Sequence, residues 1–77
     1  MRIDAHTLET VKEHGLREAD TLHIYASPQS LRLLAGFLSR AAEDLEKLPT
    51  FGHRHISDEL DEQWADGWPE VIVLAGR

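Results

Sequence analysis

The stretch Thr21-Leu22-His23-Ile24-Tyr25-Ala26-Ser27-Pro28-Gln29-Ser30-Leu31-Arg32-Leu33-Leu34-Ala35-Gly36-Phe37-Leu38 decides the fold, because its hydrophobic period changes in the middle. Up to Ala26, apolar and polar residues alternate. Leu22, Ile24 and Ala26 share one face, and Thr21, His23 and Tyr25 share the other, as in a half-buried strand. Ser27 then offers a hydroxyl to an orphan backbone N–H, and Pro28 takes the first helical position, where a missing N–H costs nothing. Leu31, Leu34, Ala35, Phe37, Leu38, Ala41, Ala42, Leu45 and Leu48 fall on one side at helical spacing, over an arc of roughly 160°. Pro49 pushes Leu48 out of the helical region. The pattern predicts one long helix over Pro28–Leu48, with Leu33 as an exception on its polar side.

Flanking segments read mostly as strands. Gly52–Ser57 follows the helix. Glu70-Val71-Ile72-Val73-Leu74-Ala75 is apolar on both faces, which suits a central strand. Leu8–His14 reads as a strand closing onto Leu22–Ala26 through Gly15–Asp20, with a short helix capped by Gly15 as the alternative. In Asp58–Gly67, the spacing of Leu60, Trp64 and Trp68 fits one helical turn with an apolar stripe. The expectation is an α+β fold in ββαββ order. One long helix lies across a small, mostly antiparallel sheet of three to four strands. The sheet's uncovered face would carry His23, Tyr25, His53 and His55.

Composition narrows the class. Seventy-seven residues make a single small domain, 1–77, which buries only roughly 60–65% of its unfolded surface and has a stability of about 3–5 kcal/mol. There is no cysteine, so no disulfide staples it. No apolar run approaches the length of a membrane span, and Met1-Arg2-Ile3-Asp4-Ala5-His6 turns polar at once. The expected location is the cytoplasm.

The net charge is −6. Asp58, Glu59, Asp61, Glu62, Asp66 and Glu70 form a run without Lys or Arg. Phosphates need a basic surface, so nucleic-acid binding is not expected. An acidic face suits a basic protein partner, although acids also serve solubility. Asp58, Asp61, Glu62, Trp64 and Asp66 are the candidate partner-binding residues. Trp64 would be the aromatic anchor, with core packing as its alternative. Trp68, beside the apolar last strand, is expected in the core.

His53 and His55 stand side by side on one strand face, with Asp58 close by. Imidazole ligates zinc, copper or nickel. A site here would need His53, His55, Asp58 and His23 together, and no second ligand motif completes it. The expectation is therefore no metal and no cofactor. Arg54, between the histidines, points the other way, and beneath the helix it must find an acid such as Asp44. Gly-x-Ser-x-Gly and phosphate-cradling glycine loops are absent, and no enzyme activity is expected. A homodimer is expected, because the sheet has an open edge and a face without a covering helix. Tyr25, Leu33 and the histidine face are its candidate contacts.

Three segments carry a family resemblance. They are Ala26-Ser27-Pro28 with Leu31, Leu34, Ala35, Phe37 and Leu38; His53-x-His55-x-x-Asp58; and Trp68-Pro69-Glu70-Val71-Ile72-Val73. Over Leu22–Val73 the chain resembles a group of small, mostly uncharacterised bacterial proteins, some of which are similar to immunity proteins of bacterial toxin systems. The resemblance implies a domain that acts by binding and carries over no catalytic residue. Taken with the composition, the main expectation is a small cytoplasmic binding protein, an immunity or inhibitor protein acting through the acidic, aromatic-containing surface. The alternatives are a metal-binding protein centred on the histidine pair and a structural homo-oligomer.

Overall fold

A computed structural model describes residues 1–11, 15–48, 50 and 52–76. Strands β1 (Arg2–Val11) and β2 (Arg17–Tyr25) precede helix α1 (Pro28–Lys47). Strand β3 (His53–His55), helix α2 (Ile56–Leu60), a 3-10 turn (Asp61–Gln63) and strand β4 (Ile72–Leu74) follow. The class is α+β, as the patterning predicts. The single sheet is not found. β1 pairs only with β2 and β3 only with β4 among the described residues, both antiparallel. The physical reason lies at Ile56. The chain turns there into α2, so β3 has only three residues and β4 pairs along the same three. A central β4 and a shared face for His23, Tyr25, His53 and His55 are both overturned: the first pair lies on β2 and the second on β3.

The first hairpin is the longer pairing. Ile3 faces Ile24 and Ala5 faces Leu22, so one side is apolar. The register then steps past Asp20, and that bulge accompanies a contact of 2.8 Å between the Asp20 carboxylate and His6 Nδ1. On the polar side, the Arg2 guanidinium stacks 4.1 Å from the Tyr25 ring. The strand expected at Leu8–His14 begins earlier, at Arg2. Its end, residues 12–14, lies outside the described residues, as does Pro49.

Helix α1 begins as its sequence dictates. Ser27 is extended (φ −75°, ψ 162°), and its Oγ accepts the Ser30 N–H at 3.1 Å. At the far end, the Leu48 N–H reaches the Asp44 carbonyl at 2.8 Å. The buried sector differs from the predicted stripe. Leu34, Phe37 and Ala41 are buried, and Leu33 packs against the core from one flank. Leu31 and Leu38 remain 44% and 45% exposed. The helix is covered by Ile56, Leu60 and Trp64 rather than by β2, and those residues select a different side. Leu22 and Ile24, expected beneath the helix, are exposed.

Arg54 locks this core to α1. It pairs with Asp44 of α1 and with Glu59 of α2, while Arg40 reaches Glu59 at 3.4 Å. The hydrogen bond that Arg54 donates to Glu59, then the charges of Asp44 and Glu59, push the Arg54 guanidinium further above its ordinary pKa than partial desolvation lowers it.

Candidate functional site

Helix α2, the turn after it and the chain leading to β4 carry the acidic segment. Ile56 and Leu60, four apart, point inward and are buried with Phe37. His55 precedes the helix but makes no side-chain cap. Glu70 supplies one instead. Its carboxylate accepts the Ser57 N–H at 3.1 Å and the Ser57 hydroxyl at 2.6 Å. The Ile56 N–H reaches the Val71 carbonyl at 2.9 Å, so the chain entering β4 is bonded to the start of α2. The two bonds from Ser57, the hydroxyl first, hold the Glu70 carboxyl below the usual range, with a smaller pull from His55.

Beyond Leu60 the chain folds back tightly. Asp61 sits at φ 47°, ψ −120°, a region glycine adopts more cheaply. The Trp64 N–H bonds the Asp61 carbonyl at 3.1 Å, and the Trp68 N–H bonds the Ala65 carbonyl at the same distance. Trp64 is 5% exposed, and its indole N–H donates to the Pro69 carbonyl at 2.9 Å. Its ring meets that of Trp68 edge-on, with centroids 4.9 Å apart. Trp64, a candidate anchor, therefore sits in the core and shapes the segment from beneath.

The six acids separate into two groups. Glu59 and Glu70 are committed to bonds within the fold, to Arg54 and Arg40 in one case and to Ser57 in the other. Asp58, Asp61, Glu62 and Asp66 face solvent. The result is a small, negatively charged surface with aromatic and aliphatic packing behind it. No sequence signal marked Glu70 as a cap, since it acts from thirteen residues away. The α2 turn did have a signal, in the spacing of Ile56 and Leu60.

The histidine pair is placed as its spacing implies. The His53 and His55 rings meet edge-on with centroids 4.9 Å apart. His53, Arg54, His55, Asp58 and Glu59 line a shallow open cleft. His23 belongs to the other hairpin. Among the described residues, no three His, Cys, Asp or Glu side chains are grouped as a metal site would need.

Comparison with known proteins identifies the class of this small α+β chain. Residues 21–75 match the family Immunity protein 32. The match covers well over half of the 77 residues, and the chain belongs to that family. Immunity proteins are inhibitors that bind a toxin as their protein partner, and they are not enzymes. No curated protein and no solved structure matches the chain at significance. No helix among the described residues is long and apolar enough to cross a membrane.

Proposed function

We propose that this protein is a bacterial immunity protein, working in the cytoplasm as one domain, that neutralises a cognate toxin by covering it with the acidic segment. Asp58, Asp61, Glu62 and Asp66 are the contact residues, and the toxin surface they meet is basic. One observation carries the assignment of the surface. Of six clustered acids, the fold uses Glu59 and Glu70 for its own bonds and leaves the other four facing water. Charges on a supported surface steer a partner of opposite sign and fix its register. The strained backbone at Asp61 adds support, since such conformations concentrate at functional positions. Trp64 contributes by holding the segment's shape.

Co-expression tests this reading. A toxin-like product of the neighbouring gene, expressed alone, should arrest growth, and this protein should restore it. Asp61→Lys combined with Glu62→Lys should weaken the rescue while the domain stays folded. Full rescue by that variant would move the contact surface elsewhere.

A further inference from the structure

A chain of 8.7 kDa folded as an ordinary monomer exposes about 4,700 Å². This one exposes 6065 Å². The excess, about 1,300 Å², is what one subunit contributes to an obligate dimer interface, where about 2,000–5,000 Å² is buried over both partners. Its radius of gyration is 13.4 Å, against about 11.5 Å for a compact chain of this length. The extents of 33 × 31 × 17 Å describe a flattened body.

Part of the exposed surface is apolar and lies on β2 and α1. On β2, Leu22 is 59% exposed and Ile24 44%. On α1, Leu31 and Leu38 are exposed to a similar degree. Sequence patterning marks both sets as faces to be buried, yet within one chain neither is.

Charge favours a second copy over a basic toxin as the occupant. Six of the fourteen acids lie in the segment 58–70, which leaves eight against the chain's eight Lys and Arg. The whole net charge of −6 thus resides in that segment. Residues 1–48, which hold the hairpin and α1, carry six Lys and Arg against eight acids, so two copies meeting there repel far less than two acidic segments would.

We infer that the protein is a homodimer in which the apolar β1–β2 face and the Leu31/Leu38 stripe of one copy are buried against those of another. A two-fold arrangement of this kind is self-complementary and closes at two subunits. It leaves the acidic segment free, so the dimer presents two toxin-binding surfaces.

Light scattering and thermal melting of the purified protein test it. The expected mass is twice 8.7 kDa. The melting temperature should fall on about a hundredfold dilution, as mass action requires of a folded state that includes association. Ile24→Asp and Leu38→Asp, each at a position exposed in the single chain, should halve the mass or abolish folding at the concentration where the parent is dimeric. Glu62→Lys, on the acidic segment, should leave the dimer intact. A parent chain that keeps the monomer mass, with a melting temperature independent of concentration, would overturn the inference. So would a dimer that survives both aspartate substitutions, since its interface would then lie elsewhere.

Discussion

Glu70 caps a helix to which it does not belong: its carboxylate holds both the backbone N–H and the hydroxyl of Ser57, at 3.1 and 2.6 Å. The bond joins the end of the acidic segment to its beginning, so the exposed acids between them are carried on a closed loop. The same contact makes stability depend on pH. The Glu70 carboxyl is held below its ordinary range in the folded state. A depressed pKa contributes stability that is fully present above the unfolded value and is lost as pH falls through the folded one. Melting temperature should therefore drop on acidification below the usual glutamate range. Glu70→Gln should be less stable than the parent at neutral pH and equal to it in strong acid. A difference constant across that range would mean the charge of Glu70 contributes nothing.

Phe37 and Leu38 are neighbours in sequence with opposite environments, 0% and 45% exposed. Phe37→Ala removes a fully buried ring and should cost about 3–5 kcal/mol, which is most of the stability of a chain this small. Leu38→Ala, measured at a dilution where chains are separate, should cost about 0.5 kcal/mol or less. Urea denaturation of both variants checks the pair. Equal losses would show that the buried sector of α1 is the wider predicted stripe after all.

This pair also shows what the sequence made legible. Ser27 and Pro28 fixed the start of α1, because capping is local chemistry that needs no knowledge of the rest of the fold. Arg54 was legible for a related reason: alternation turned it toward the helix, where a cation needs an acid, and Asp44 provides one. The buried side of α1 was not legible. Periodicity reveals an apolar stripe but not which element covers it, and the cover is α2 with Trp64 rather than β2. Alternation in Leu22–Ala26 likewise named a face without naming its neighbour. The acids at 58–70 were evident as a cluster. Their division into structural and solvent-facing members depended on partners distant in sequence, Arg40 with Glu59 above all.

Asp61 occupies a positive-φ conformation, at φ 47°. Glycine there relieves strain of about 1–3 kcal/mol but gives back part of it as backbone entropy. Asp61→Gly should therefore stabilise by about 1 kcal/mol, a rise of roughly 4–8 °C in melting temperature for a domain of this size. Asp61→Ala, which removes the same charge without relieving the backbone, should show no such gain. Equal melting temperatures for the two variants would remove strain from the explanation.

Zinc should not bind with submicromolar affinity. His53 and His55 are adjacent, but their strand brings no third and fourth ligand to them among the described residues. Calorimetric titration into chelator-treated protein should show no tight one-to-one isotherm, and chelator should leave the melting temperature unchanged. Tight binding abolished by His53→Ala would instead make the histidine pair a functional centre.

The central claim is that Asp58, Asp61, Glu62 and Asp66 form the surface that captures a toxin, and association kinetics test it most directly. Stopped-flow mixing with a toxin that the protein neutralises in co-expression should give a rate that falls steeply with salt, because exposed charges are screened over about 10 Å at 0.1 M ionic strength. Asp61→Lys with Glu62→Lys should slow association about tenfold or more at low salt and change dissociation far less. A charge-reversed protein that associates as fast as the parent at every salt concentration would contradict the account and leave those four acids with solubility as their only role.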